Sequence, residues 1–336
     1  MTVCFVANST ILRRVHARML GSTDLAVSEF AMGCNKLGSL SAHQTKRSAV
    51  RLVHAAMDAG IHLFDTADAY SSGGSESVLG TALRGKPSAI IATKIGYRFT
   101  ERSPCAHVAH AVLSKAQSAL LGRTAPSAYE SQDFSPGYVR SAVYASLKRL
   151  QRGHIDLLQF HSPPSAASCD LPAVISELIA AGTVRYFGVG CESFSVAQSW
   201  STVDRVAAIQ LQFGVLDPLA AEELIPELSA ANVGVLARGI LGGGLIARYL
   251  RGQRPGIEPQ RIRRLDRLRV LADTTGADIA QLAVWYAQYS ADVDSIVLGI
   301  SDADQVAAAA RFAGAPRPDD ATITALQAIV ADLEPA

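Results

Sequence analysis

The sequence carries almost no excess charge: 31 Lys and Arg against 30 Asp and Glu leave +1 over 336 residues. Such a chain has no field to steer a polyanion, which argues against nucleic acid as its partner. Charged residues make up only 18%, while hydrophobic residues reach 49%. That balance excludes a disordered chain, because this much apolar surface collapses. Cysteine is rare, and Cys4, Cys34, Cys105, Cys169 and Cys191 are odd in number and scattered, with no Cys-x-x-Cys pair. A disulfide framework is therefore not expected, and a reducing compartment, the cytoplasm, is. No apolar run approaches the roughly 18–20 residues that span a bilayer, so no membrane partner is expected. At the start, Arg13 and Arg14 follow the apolar stretch instead of preceding it, the reverse of a secretory signal. Residues 1–17 read as a loose N-terminal extension ahead of a single domain over 18–336.

From about Glu29 onward, short apolar runs alternate with helical patterns. Strands are expected at Glu29–Gly33, His62–Thr66, Ala89–Thr93, Ile155–Phe160, Arg185–Val189, Ala207–Gln212, Gly234–Ala237 and Ser295–Leu298. Helical periodicity falls between them, as in Thr45–Ala59, closed by Gly60, and Gly137–Leu150, where Val139, Val143, Leu147 and Leu150 share a face. Further helices are expected at Ser75–Leu83, Ala173–Ala181, Ser195–Trp200, Ala220–Leu228, Gln260–Ala272, Ile279–Gln288 and Ala303–Phe312, with a terminal one at Ile323–Leu333. Strict β–α alternation implies a parallel sheet. Eight units in this length suit a closed (β/α)₈ TIM barrel with an extra C-terminal helix better than an open doubly wound sheet. Gly188-Val189-Gly190 follows a strand as a dinucleotide fingerprint would, but Ser193 stands where its last glycine belongs. No acidic residue ends a strand about 20 positions on, so that motif is rejected.

In such a barrel the active site lies at the C-terminal strand ends. Asp65 ends the second strand with Tyr70 in its loop, Lys94 ends the third, and His161 ends the fourth. Singly, each has an ordinary structural explanation: a capping carboxylate, its ion-pair lysine, a core histidine, a packed tyrosine. On three successive strand ends they form a proton-transfer group. An ammonium lowers the pKa of a nearby phenol, a carboxylate holds the ammonium, and a histidine orients a carbonyl. Such a group suits protonation of an oxyanion as hydride arrives.

These segments resemble the aldo-keto reductase superfamily. The resemblance rests on Asp65-Thr-Ala-Asp-Ala-Tyr70, Gly73-Gly-Ser75-Glu76-Ser-Val-Leu-Gly80, Ala92-Thr-Lys94, Ser146-Leu-Lys-Arg-Leu150, Asp156-Leu-Leu-Gln-Phe-His161 and Gly182-Thr-Val-Arg185-Tyr-Phe-Gly188. It runs from about Arg18 to the last helix. It implies that Asp65, Tyr70, Lys94 and His161 are a catalytic tetrad with Tyr70 as general acid/base. It further implies a nicotinamide cofactor stretched across the barrel mouth, passing hydride to or from a small aldehyde, ketone or sugar. By the same resemblance, Gln212 meets the carboxamide, Arg238 matches an arginine of several branches, and Gly299, Ser301 and Gln305 hold the adenosine phosphate. Gly190 and Cys191 occupy the cofactor positions where the family usually has Ser-Asn, and Ala309 replaces an asparagine of the adenine loop. NADP(H) is the family default. No Lys or Arg lies between Gly299 and Ala310 to clamp a 2′-phosphate, which makes NAD(H) the alternative.

Weaker signals surround this group. Residues 97–132 are an insertion that reads either as a lid, with Val108–Leu121 as an amphipathic helix over the mouth, or as a disordered surface excursion. Cys105, His107 and His110 within it lack a fourth ligand and a zinc spacing, so no metal is expected. Cys34 and Cys191 sit just after strands and read as packing residues more than nucleophiles. Gly242-Gly-Gly244 suggests a mobile loop. Asp133-Phe134-Ser135 is similar to the branch that oxidises sugar lactols, the galactose and fucose dehydrogenases. A cofactor-binding regulatory barrel with little turnover and a metal-dependent hydrolytic barrel are the rival readings.

Overall fold

The computed structural model describes residues 17–38, 44–99, 131–166, 172–218, 224–254 and 256–331. A short antiparallel pair, β1 (Ala17–Met19) and β2 (Ala26–Ser28), comes first and was not apparent in the sequence. The alternating part follows as β3 (Phe30–Gly33), α1 (Lys46–Asp58), β4 (Leu63–Asp65), α2 (Gly74–Ala82) and β5 (Ile90–Ile95). A second small antiparallel pair, β6 (Tyr97–Arg98) and β7 (Ser131–Gln132), leads to α3 (Pro136–Leu150) and β8 (Ile155–His161). Then come α4 (Pro172–Ala180), β9 (Val184–Gly190), α5 (Phe194–Ser201), β10 (Val206–Gln212), α6 (Leu224–Ala230) and β11 (Gly234–Arg238). A 3₁₀ turn at Gly242–Gly244, α7 (Leu245–Leu250), α8 (Pro259–Thr275) and α9 (Ile279–Tyr289) precede β12 (Ser295–Gly299), α10 (Ala303–Gly314) and α11 (Asp320–Ala331).

Strands β3, β4, β5, β8, β9, β10, β11 and β12 are parallel neighbours in that order, and β12 returns to β3, closing an eight-stranded barrel. The (β/α)₈ expectation holds, including the extra C-terminal helix. Element ends fall within a few residues of those expected, with Thr45 capping α1 by accepting a bond from the Ser48 N–H at 3.1 Å. The expected helix at 220–228 begins at Leu224, and residues 219–223 lie outside the described residues.

Period-two alternation sorts each strand into an outer and an inner set. Phe30, Met32, Phe64, Ile91, Leu158, Phe160, Phe187, Val189, Ile209 and Leu211 point outward and pack against the helices. The alternate residues Ala31, Leu63, Ala92, Leu157, Ala208, Leu236 and Val297 fill the barrel interior, joined by Leu20, Leu25 and Val27 of the β1–β2 hairpin. The hairpin therefore plugs the N-terminal end. A side chain on Gly234 would put its Cβ 2.6 Å from Leu20 Cδ1, so the plug seats against a bare backbone. The last residue of the expected loose extension, Ala17, is the first of β1, and residues 1–16 lie outside the described residues.

The inner set changes character towards the C-terminal rim. Above the aliphatic floor come Asp65, Lys94, Gln159 and Gln210, all buried, then His161, Gln212 and Arg238 at the mouth. A polar column inside a barrel is costly unless its groups satisfy one another, and this one does so around a single carboxylate. At the opposite end, buried Asp156 accepts from the Ile91 N–H at 3.0 Å and pairs with Arg185 at 3.0 Å, a structural brace far from the mouth.

Candidate active site

Every residue singled out on a strand end lies at the same rim. Asp65 is the last residue of β4, His161 of β8, Gly190 of β9, Gln212 of β10, Arg238 of β11 and Gly299 of β12, with Lys94 next to last in β5. The strands β4, β5 and β8 are adjacent, which brings Asp65, Lys94 and His161 side by side. Tyr70 lies in the turn after β4. That turn is stitched to the neighbouring strand by the Asp68 N–H donating to the Lys94 carbonyl at 2.9 Å, and its far end by Ser75 Oγ donating to the Cys34 carbonyl at 3.0 Å.

Lys94 Nζ donates to Asp65 Oδ1 at 2.5 Å, and its side chain is only 2% exposed. The same carboxylate oxygen accepts from Gln210 Nε2 at 2.8 Å and Gln159 Nε2 at 3.4 Å. Burial pulls Lys94 below an ordinary lysine, and the Asp65 carboxylate opposes that pull. Lys94 Nζ lies 5.6 Å from the Tyr70 ring centroid. His161 stands between two tyrosines, edge-on to Tyr70 at 5.6 Å and to Tyr97 at 4.9 Å. Burial, then Lys94 and Arg238, lower its pKa to about 3, so it is a neutral imidazole at ordinary pH. Its Nδ1 is buried without a protein partner.

Tyr70 is held towards its neutral form. Burial is the largest influence and raises its pKa, Asp65 raises it further, and Arg238 is the cation that lowers it. The ground state at the mouth is thus a protonated phenol beside a neutral histidine.

Two glutamines on one strand divide the work. The expected one, Gln212, donates from Nε2 to Asp217 at 2.8 Å, while Gln210 and the β8 residue Gln159 reach Asp65 and were missed. Their signal was available: alternation places Gln210 and Gln159 on the inner face of their strands, two residues below the rim. Gly190 has a local reason to be glycine, since a Cβ there would lie 3.3 Å from Lys94 Cε. Burial pushes the Cys34 thiol well above its usual range and Cys191 up to about 12. Neither is a thiolate nucleophile.

A second buried acid lies behind the loop. Glu76 accepts from Thr93 Oγ1 at 2.6 Å and from Arg149 Nε at 2.7 Å. Asp68, 1% exposed, has an unpartnered Oδ1, and burial followed by Glu76 pushes it well above the carboxylate range. Burial favours the protonated form of Asp68 in the folded protein, whereas the unfolded chain loses that proton as pH rises through about 3.8. Its contribution to stability is present below that value and is lost as pH climbs towards the folded pKa. Asp68→Asn, neutral at every pH, is therefore expected to gain stability relative to the parent between pH 5 and pH 8, measured as the shift in urea midpoint. An unchanged difference between those two pH values would contradict an Asp68 pKa raised by burial.

At the cofactor end, the expected anion site at the start of α10 is already filled by protein groups. The Ser301 N–H donates to Gln305 Oε1 at 2.6 Å, and the Gln305 N–H to the capping Asp302 Oδ1 at 2.9 Å. Asp304 adds a second carboxylate in the first turn. A free phosphate oxygen has to displace these side chains to use those amides. At the mouth, the unpartnered Nδ1 of His161, the bare backbone of Gly190 and the guanidinium of Arg238 suit a polar ring carrying an anionic tail. The ends of the 97–132 insertion are tied to the rim, with Gln132 Nε2 donating to the carbonyls of His161 at 3.2 Å and Ser162 at 2.7 Å. Cys105, His107, His110 and the expected helix at 108–121 lie outside the described residues. Among the described residues no three His, Cys, Asp or Glu side chains gather as a metal would require, and no helix is long and apolar enough to cross a membrane. Gly242, Gly243 and Gly244 all have positive φ, the reason that three glycines build this turn.

The structure is thus a closed parallel (β/α)₈ barrel with a buried Lys–Asp pair, a tyrosine and a histidine at its C-terminal mouth. A profile of the aldo/keto reductase family matches residues 29–331, and the chain belongs to that family. Among curated proteins it is 27% identical over 320 residues to the oxidoreductase YqkF of Bacillus subtilis strain 168, covering 92% of this chain and 95% of that one. It is 27% identical to pyridoxal 4-dehydrogenase of Microbacterium luteolum (88% and 92% covered) and 26% to L-galactose dehydrogenase of Arabidopsis thaliana (88% and 87%). Among solved structures, the holo form of aldo-keto reductase AKR11C1 from Bacillus halodurans superposes with a TM-score of 0.75 at 27% identity, over 94% of this chain and 97% of that one. The glycerol dehydrogenase AKR11B4 of Gluconobacter oxydans shares the fold, with a TM-score of 0.75 at 24% identity over 95% and 98%.

Proposed function

We propose that this protein interconverts a small aldehyde, ketone or sugar and its hydride-transfer partner, using a nicotinamide dinucleotide and Tyr70 as general acid/base. The observation that carries the reading is the convergence of Asp65, Tyr70, Lys94 and His161 on adjacent strand ends. A bound nicotinamide supplies or accepts the hydride at the carbonyl carbon. Tyr70 holds a proton on its hydroxyl and gives it to the carbonyl oxygen as negative charge builds there, a contribution of about 10²–10⁴ in rate. Neutral His161 positions that oxygen by a hydrogen bond. The Lys94–Asp65 pair fixes the floor beneath the tyrosine, and Arg238 is the cation that favours its ionised form when the reaction runs towards oxidation. Gly190, Cys191, Gln212 and Arg238 would flank the nicotinamide, with Gly299, Ser301 and Gln305 towards the adenosine.

The cofactor we favour is NAD(H). No Lys or Arg stands between residues 299 and 310, and Asp302 and Asp304 both sit at the start of α10, where a 2′-phosphate would meet like charge. A fluorescence-quenching titration with NADH and NADPH tests this. Saturable binding of NADH is expected, with NADPH at least about tenfold weaker, equivalent to about 1.4 kcal/mol. Tighter NADPH binding would reverse the cofactor assignment, and binding of neither would remove the oxidoreductase reading.

A narrower reading, oxidation of a cyclic hemiacetal, is favoured by the names of two relatives. Pyridoxal and L-galactose both close into cyclic hemiacetals in water, and the dehydrogenases named for them cover most of this chain.

A further inference from the structure

Arg238 reaches out of β11 across the mouth and is held on the far side of β10. Its Nη2 donates to the Cys191 carbonyl at 2.9 Å and pairs with Glu192 Oε2 at 3.0 Å. The other oxygen of Glu192 accepts from Ser162 Oγ at 2.9 Å. Ser162, the residue after His161, has a φ of +51°, a left-handed conformation that a serine adopts at some cost. Its N–H donates to the Gly190 carbonyl at 2.8 Å. The result is a chain of polar contacts, Ser162–Glu192–Arg238, spanning the ends of β8, β9 and β11 above Gly190.

The two ends of the Glu192–Arg238 pair differ in environment. The Arg238 side chain is 26% exposed and directed to the mouth, while that of Glu192 is 64% exposed. Arg238 acts electrostatically on Tyr70, Lys94, His161 and Cys191, so its charge lies within reach of the whole site. An inward cation with a solvated counter-ion is a poor permanent pair, because exposed pairs contribute little. It is a good site for exchange: an anion entering the mouth takes the place of Glu192, which returns to water at small cost.

The geometry points to Glu192 as a displaceable counter-ion that holds Arg238 until an oxyanion on an incoming ligand replaces it. The oxyanion is a dinucleotide phosphate or a carboxylate on the carbonyl substrate. The first source rests on the function proposed above, whereas the exchange itself does not. Because Glu192 also opposes ionisation of Tyr70 and Arg238 favours it, the same contact links ligand entry to the chemistry of the tyrosine.

The test is a binding titration of the full chain with NADH, inorganic pyrophosphate and glyoxylate, on the parent, Glu192→Gln and Ser162→Ala. Glu177→Gln serves as the charge control, since Glu177 pairs with Arg140 on the outer helices. Glu192→Gln is expected to tighten the relevant anion about two- to fivefold, the scale of an exposed ion pair. Ser162→Ala should shift in the same direction by less, and Glu177→Gln should not shift. Tightening of NADH and pyrophosphate assigns the anion to the cofactor, and tightening of glyoxylate alone assigns it to the substrate. Equal or weaker binding of all three probes in Glu192→Gln overturns the exchange. If the parent binds no nicotinamide dinucleotide yet Glu192→Gln tightens pyrophosphate, the counter-ion role stands and the oxidoreductase reading falls.

Discussion

Tyr70→Phe is expected to leave dinucleotide affinity within about twofold and to cut turnover at least a hundredfold, the low end of what a positioned acid contributes. The substitution removes one hydroxyl from a half-buried ring that keeps its contacts with His161 and Lys94. Binding and folding should therefore survive. Steady-state reduction of a carbonyl probe beside a quenching titration separates the two effects. Turnover close to the parent's would mean that another group carries the proton, and His161, neutral at ordinary pH, is not equipped to replace it as a strong acid.

Lys94→Met should be the most damaging substitution for stability in the mouth. It leaves Asp65 buried without its cation, and breaking a buried pair from one side typically costs about 3–5 kcal/mol. The remaining amide donors from Gln210 and Gln159 place the expected loss near the lower bound. Adding Asp65→Asn removes the stranded charge while keeping an acceptor for both glutamines, so most of the stability should return. Turnover should not. Thermal unfolding and activity of the single and double variants would show whether the pair is a structural brace alone, in which case activity recovers along with stability.

The order of these costs shows which features were legible in the sequence. Strand positions were readable because every barrel strand is a short apolar run bounded by a turn or cap, and eight repeats leave few parallel arrangements. Asp65, Lys94 and His161 were readable because strand ends and site coincide in this architecture. Gln159 and Gln210 were overlooked because each sits inside an apolar run, where only the inward parity distinguishes it from its neighbours. The β1–β2 plug escaped because its strands are three residues each and gain their stability from the barrel floor they cover.

The sequence by itself determined the barrel, its family and the four polar residues at the mouth, since these follow from local periodicity and from residue types at strand ends. Only the tertiary structure decided how those residues are charged. Asp65 pairs with Lys94, burial raises the Tyr70 pKa, Glu192 holds Arg238, and Asp302 with Gln305 occupies the amides at the start of α10. Each of these is a contact or burial effect between side chains several ångströms apart at most. Electrostatic interactions of that range depend on distance and desolvation, and neither is encoded in the order of residues along the chain.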